Sequence, residues 1–343
     1  MSEDEVLRWR MHAQFGGGPG SVAEVAGRAV GVQAQDAGAT RLGLRARGVA
    51  GEGAVAAAYA AGEVVSSWLM RGTLHLVPVA DLAPMLALFG ARTSAMYAGR
   101  RRQLGLTEEL CERAFAALPE VLARPLSRGR LIAALNERGI GIEPTGQAPA
   151  HFVIHAASRG LLRRGAEVAP GEPGYVLTEP AAPVAPDAAA LAVRYLAGYG
   201  PAAPEDFAGW SGLPLTVARR AFQEAGASAQ GWSVPPGVAA PEAGPPLVRL
   251  LGAYDGYLLG YRDRALMLDQ RFAKRINAGG GVIKPALVAD GRVLGTWRRA
   301  GGELLVEPFE QPLPRAVGPG LAAEAAALGQ YLGLELTLRV ADS

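Results

Sequence analysis

Ser127-Arg128-Gly129-Arg130-Leu131-Ile132-Ala133-Ala134-Leu135-Asn136-Glu137-Arg138-Gly139 opens the part of the chain whose pattern decides the fold. Ser127 is a natural N-cap and Gly139 a natural stop, so a helix is expected from Arg128 to Arg138. Leu131, Ile132 and Leu135 give it one apolar stripe. After the loop Ile140–Pro149, a second helix is expected from Ala150 to Arg159, carrying Phe152, Val153 and His155 and ended by Gly160. Leu161-Leu162 then lead into a strand whose return partner is Tyr175-Val176-Leu177-Thr178, with the Gly- and Pro-rich stretch Gly165–Gly174 as the tip. Helix, helix and a two-stranded wing make a winged helix.

The same theme continues outward. Downstream, Asp187–Ala197 reads as a helix with Leu191, Val193 and Leu196 inward. Pro204–Trp210, the turn Ser211-Gly212-Leu213, and Pro214–Ala225 form a helix-turn-helix, with Pro214 suited to a first helical position. Upstream, Glu5–Gln14 is helical, Ser21 caps a helix through Val30, Trp68–Val77 alternates like one strand, and Val79–Phe89 is helical. Pro235–Pro246 is a proline-rich linker. Beyond it, Val282–Val288, Val293–Trp297 and Leu304–Val306 read as strands joined by Asp290-Gly291 and Gly301-Gly302 turns. A helix at Leu321–Leu332 and a strand at Glu335–Arg339 close the chain. The expected class is α+β: three tandem winged-helix units at 1–100, 101–182 and 183–235, then a β-rich, barrel-like domain at 247–343.

The 343 residues are half hydrophobic, ample for more than one core. The lone cysteine, Cys111, allows no internal disulfide and no cysteine-based zinc site, which fits a reducing compartment. No stretch approaches the roughly 20 uninterrupted apolar residues of a membrane helix, and Met1–Arg10 is charged rather than signal-like. A soluble, cytoplasmic protein with no membrane partner is expected. The net charge of +2 by itself says little about nucleic acid. More telling, Lys274 and Lys284 are the only lysines, and the arginines cluster at Arg100-Arg101-Arg102, Arg163-Arg164, Arg219-Arg220 and Arg298-Arg299. Arginine's planar fork suits phosphate, whereas a bland reading makes each cluster a solvated surface.

Three strings carry a family resemblance in this order: Val32-Gln33-Ala34-Gln35-Asp36, Trp68-Leu69-Met70-Arg71-Gly72-Thr73-Leu74-His75-Leu76-Val77, and Tyr254-Asp255-Gly256-Tyr257-Leu258-Leu259-Gly260-Tyr261-Arg262-Asp263-Arg264. Over nearly its whole length the chain resembles the winged-helix DNA glycosylases of the AlkZ family. That resemblance implies three tandem winged helices and a barrel-like domain around a DNA channel, excision of bulky alkylated purines, and unhooking of interstrand crosslinks. It also implies that Gln33 and Gln35 are the catalytic Gln-x-Gln pair, of the form seen in self-resistance enzymes of producers of DNA-alkylating natural products.

Glutamine does not titrate, so neither residue can be a true general base. On extended backbone, residues i and i+2 project to one side and could together orient one water. That suffices when the leaving group is already charged, as in N7-alkylguanine. Asp36 is an adjacent carboxylate of unknown direction. Arg71, Thr73 and His75 would share one strand face and contact DNA, the alternative being a buried strand with one satisfied histidine. Arg100, Arg101, Arg102, Arg262 and Arg264 are further DNA-binding candidates. Asp255 with Arg262 and Arg264 could equally be a structural ion-pair network. His151 and His155 lie at i and i+4, but no third ligand is evident, so no metal and no cofactor is expected. The sequence thus supports a monomeric, monofunctional glycosylase acting on double-stranded DNA with alkylated purines. The rival reading is a non-catalytic winged-helix regulator or architectural protein.

Overall fold

The computed structural model describes residues 1–180, 182–228, 231–234, 241–242 and 244–341. The proline-rich segment Pro235–Pro246 therefore lies largely outside the described residues. The chain forms two compact units, Met1–Ala54 with Ala188–Ser343, and Val55–Asp187.

The first unit begins with α1 (Glu3–Phe15), α2 (Val22–Arg28), β1 (Val32–Gln33) and α3 (Ala37–Ala46). Ser2 and Ser21 start α1 and α2 through capping boxes with Glu5 and Glu24. The second unit comes next in the chain. It contains α4 (Ala54–Ala60, starting at the junction), β2 (Val64–Trp68), β3 (Leu74–Pro78), α5 (Leu82–Met96) and α6 (Ala98–Gln103). It continues with α7 (Glu108–Val121), α8 (Arg128–Asn136), α9 (Ala148–Ser158), β4 (Leu162–Ala169) and β5 (Glu172–Leu177). The chain then returns to the first unit with α10 (Ala188–Tyr199), α11 (Pro204–Ser211) and α12 (Leu215–Glu224). Its last part holds β6 (Val248–Leu251), α13 (Gly256–Leu259), α14 (Ala273–Ile276), β7 (Ala286–Ala289), β8 (Arg292–Ala300), β9 (Glu303–Pro308), α15 (Val317–Leu332) and β10 (Thr337–Val340).

In the second unit the stretch Ser127–Thr178 behaves as its pattern indicates. Ser127 caps α8, and α8, α9, β4 and β5 occur in the expected order. Leu126 adds a one-residue antiparallel bridge to Tyr175. The Gly- and Pro-rich Gly165–Gly174 is not a loop: β4 and β5 run through most of it and turn only at Pro170-Gly171. Leu131, Ile132, Leu135, Phe152 and Val153 close the core with Leu118 of α7. Helix α9 is sandwiched rather than free. Gly90 of α5 comes so close to it that a Cβ there would run into the Ser158 carbonyl.

Trp68–Val77 is not one strand. Strand β2 ends at Trp68, and β3 begins at Leu74, antiparallel to it, with Ser67 opposite His75. Arg71 and Gly72 take positive φ of 53° and 69° in the turn. The Leu69 amide donates to the Thr73 carbonyl at 3.0 Å to close the hairpin. Alternation on both sides of a short turn mimics continuous alternation, and only Gly72 betrays it. Arg71, Thr73 and His75 therefore do not share a strand face: Arg71 is at the hairpin tip, Thr73 flanks the turn, and His75 is inside the sheet.

In the first unit Leu191 and Leu196 of α10 are buried, but Val193 is 43% exposed, so it faces solvent and not the core. Gly212, at φ 77°, separates α11 from α12, and Pro214 sits one residue before α12 as its N-cap. The last sheet runs β10-β9-β8-β7-β6. Asp290 and Gly291, with φ of 44° and 87°, make the tight β7–β8 turn. This sheet is open, not a closed barrel. Its edge strands are β6 and β10, and α15 covers it, with Leu321, Ala325 and Leu328 packed on Leu250, Leu287 and Val306. A helix on one face buries the apolar side without the closure that a barrel would need.

Candidate active site

The Gln-x-Gln segment joins β1 to α3. Val32 and Ala34 are buried, Gln33 is half-buried, and Gln35 and Asp36 are exposed. Strand β1 ends at Gln33 and the chain bends at Gln35 and Asp36, and across this corner the two glutamine side chains touch: Gln33 Nε2 donates to Gln35 Oε1 at 2.9 Å. This bond uses a donor of Gln33 and an acceptor of Gln35. The unused groups are complementary: the Gln33 Oε1 acceptor and the Gln35 Nε2 donors. Gln33 Oε1 is buried and has no hydrogen-bond partner within the protein. Buried acceptors are rarely left so.

Asp36 has a structural task. It is the N-cap of α3, its Oδ1 accepting from the Ala39 amide at 2.6 Å. Thr40, buried in the first turns of α3, points its hydroxyl at the Gln33 carbonyl (2.9 Å) and the Asp36 carbonyl (2.7 Å). Sequence reading passed over Thr40. Its signal was the Asp-x-x-x-Thr spacing at a helix start, which gives a hydroxyl the reach to bond back to the preceding carbonyls.

His75 is 4% exposed, and its Nδ1 lies 2.8 Å from the Thr73 carbonyl. Donation to that carbonyl puts the hydrogen on Nδ1 and the lone pair on Nε2. Burial pushes its pKa down to about 4, against the bond to Thr73, so the ring is neutral at pH 7. Arg71 has no place beside it on the strand. Arg100 and Arg102 are exposed, and Arg100 bonds Gln147 and Gln103. Arg101 differs: it is buried, and its guanidinium donates to the Ser94 carbonyl at 2.6 Å. Arg262 is exposed, while Arg264 is half-buried with its Nε on the Leu258 carbonyl.

Asp255 pairs with neither of those arginines. Its carboxylate is gripped bidentately by Arg47, at 2.9 and 2.8 Å, with both side chains buried. Burial alone would lower the Arg47 pKa, but the Asp255 carboxylate holds it above the ordinary arginine value. Gln14 and Tyr261 extend the network. A second group joins the buried Arg45 and Glu324 to the half-buried Arg249. Both groups border a cavity of about 570 Å³, whose wall includes neither Gln33 nor Gln35. Arg219 and Arg220 pair with Glu205 and Glu224, and Arg298 with Glu307, as solvated surfaces do. His151 stacks edge-on against Tyr97, and His155 is buried beside Ser94. Among the described residues, no three metal-ligating side chains gather. No helix is long and apolar enough to cross a membrane.

The chain is α+β, and its two glutamine side chains meet with the Gln33 Oε1 acceptor left unpaired. The profile of the family described as "DNA glycosylase AlkZ-like" matches residues 26–331. The chain belongs to that family and is a DNA glycosylase, a DNA-repair hydrolase of N-glycosyl bonds. It is 31% identical to the "Interstrand DNA cross-link repair glycosylase" of Streptomyces sahachiroi, over 89% of this chain and 90% of that protein. Its structure is similar to that of Streptomyces sahachiroi DNA glycosylase AlkZ, with a TM-score of 0.84 and 26% identity, covering 99% of this chain and all of that one.

Proposed function

We propose that the protein removes bulky or N7-alkylated purines from duplex DNA, interstrand crosslinks included, and that Gln33 and Gln35 position the attacking water. The observation that carries this reading is the buried, unpartnered Gln33 Oε1 beside the free donors of Gln35. When the Gln33 amide, whose Oε1 is covered in this structure, opens toward the DNA, a water donates one hydrogen to Gln33 Oε1 and accepts one from Gln35 Nε2, which leaves a lone pair for attack. The water oxygen bonds to C1′ of the damaged nucleotide. The N-glycosidic electron pair departs with the base and cancels its positive charge, and the surplus proton passes to solvent. Neither glutamine can take a proton at neutral pH, so the leaving group has to be activated beforehand. This requirement selects cationic adducts such as N7-alkylguanine. The sugar's oxocarbenium-like transition state resembles that of glycoside hydrolysis.

DNA contact is assigned to Arg71, Thr73, Arg100, Arg102, Arg262 and Arg264. The internal bonding of Arg101 and the burial of His75 favour supporting roles for those two. The order α7, bridge at Leu126, α8, α9, β4–β5 supports a winged helix in the second unit. The order α10, α11, α12, with a bridge between Ala202 and Ser233, supports another in the first. Expression in a sensitive host should raise tolerance to a DNA-alkylating natural product, the self-resistance role that the Gln-x-Gln form suggests.

The test is single-turnover base release from duplex DNA containing N7-methylguanine, and from duplex with an N7–N7 guanine crosslink. Gln33→Ala and Gln35→Ala should each slow release by on the order of 10²-fold, the usual loss for one positioned donor or acceptor. Binding should persist, because phosphate contacts carry most of the affinity. Wild-type rates in both variants would refute the pair. No release by the wild-type protein would favour the non-catalytic binding reading.

A further inference from the structure

We infer that Thr40 is a positioning residue for the glutamine pair, acting through the backbone of Gln33; the inference rests on the catalytic reading above. Gln33 is the second and last residue of β1. The corner after it is pinned to the first turns of α3. Asp36 Oδ1 takes the Ala39 amide, and the Asp36 carbonyl accepts the Thr40 amide at 2.9 Å. These two bonds build the helix start but do not reach Gln33. The Thr40 hydroxyl does, at 2.9 Å from the Gln33 carbonyl and 2.7 Å from the Asp36 carbonyl. Its single hydrogen is shared between the two oxygens, and so ties the end of β1 to the corner that starts α3.

Thr40 is 4% exposed, so water does not replace this link readily. Gln33 has a second constraint, its bond to Gln35 across the corner. Both glutamine side chains therefore depend on the angle between β1 and α3. Without the hydroxyl the Gln33 carbonyl is released while the cap at Asp36 remains. The helix persists, but Gln33 Oε1 loses its fixed direction. Positioned reactions are sensitive to displacements of about 1 Å, so a loss in rate with little change in binding is expected.

Thr40→Val keeps the shape and removes the hydroxyl, and Thr40→Ser restores the hydroxyl. Both are compared with wild type in single-turnover release of N7-methylguanine, in equilibrium binding to the same duplex, and in thermal melting. Thr40→Val should slow release about 10-fold, the rate equivalent of one lost hydrogen bond. Its DNA affinity should stay within about 2-fold of wild type, since phosphate contacts are untouched. Thr40→Ser should release base at close to the wild-type rate. Placing Thr40→Val in a Gln33→Ala background should add almost nothing, because both changes act through one group.

If Thr40→Val melts before the assay temperature, Thr40→Cys tests the same bond with a weak donor of similar size. Three outcomes overturn the inference: a wild-type rate in a folded variant lacking the hydroxyl, failure of serine to rescue, or a full additional loss in the Gln33→Ala background. A wild-type rate for Gln33→Ala would instead overturn the catalytic reading on which the inference rests.

Discussion

Replacing Asp255 by alanine should cost the first unit about 3–5 kcal/mol, the range for an ion pair broken in the interior by removal of one partner. Arg47 makes four hydrogen bonds, to both Asp255 oxygens, the Gly43 carbonyl and Gln14 Oε1. The alanine leaves two of them, and it leaves the Arg47 cation buried with no counter-charge. The Tyr257 amide also loses Asp255 Oδ1, its partner at 2.8 Å at the start of α13. Most of the cost is the stranded cation, not the missing attraction. Substituting Arg47→Met together with Asp255→Ala should therefore recover a good part of the loss. Asp255→Asn keeps one acceptor but no charge, and should fall between wild type and alanine. Arg262→Ala, seven residues along the same string, removes an exposed side chain and should stay within about 0.5 kcal/mol of wild type. The assay is urea unfolding and thermal melting followed by circular dichroism. A loss of 3–5 kcal/mol corresponds to a drop of roughly 6–20 °C in the melting temperature of a unit of this size. If Asp255→Ala costs less than about 1 kcal/mol, or Arg262→Ala costs as much as it does, the assignment of Asp255 to structure fails.

Asp36→Asn should release base at the wild-type rate, because asparagine caps α3 as well as aspartate does, while Asp36→Ala should lose about 1 kcal/mol of stability; a rate defect in the asparagine variant would give the Asp36 charge a chemical role. His75 and His155 both have pKa values pushed down to about 4, chiefly by burial. The unfolded chain takes up their protons first, so stability should be complete above pH 6.5 and decline as pH falls toward 4, by on the order of 2–4 kcal/mol per histidine at the limit. His75→Gln should flatten that decline in pH-dependent melting, and an unchanged pH profile would contradict the assignment. Arg100→Ala and Arg102→Ala should each make the log–log salt dependence of DNA binding shallower by about one unit. Arg101→Ala, whose guanidinium already serves Ser94, should leave that slope alone and lower stability instead.

The elements that local rules govern are legible in the amino-acid sequence. Ser127 caps α8, Ser21 caps α2, and Asp290-Gly291 turns between β7 and β8, because an N-cap or a tight turn needs only residues a few positions apart. Gln33 and Gln35, two positions apart, are near enough in the chain for their side chains to touch. Local reading failed where two local patterns look alike. The Trp68–Val77 hairpin continued its alternation through the turn, and Val193 lay within an apolar helix pattern yet on its outer side.

Pairing across the chain was decided by tertiary structure alone. Nothing near Asp255 in the sequence indicates that its counter-ion is Arg47, 208 positions away, and not Arg262 or Arg264. Arg45 and Glu324 meet across 279 positions in the same way. Such partners are set by which side chains burial forces together, since a charge taken out of water needs a counter-charge within reach. The open last sheet has the same kind of cause: α15 covers the face that a barrel would have had to close upon itself. By itself the sequence determined which residues are chemically equipped to hold a water, because amide chemistry and backbone spacing are local properties. Only the fold decided which of their atoms remain unpaired, because an atom's remaining hydrogen-bonding capacity depends on every neighbour the packed chain brings to it.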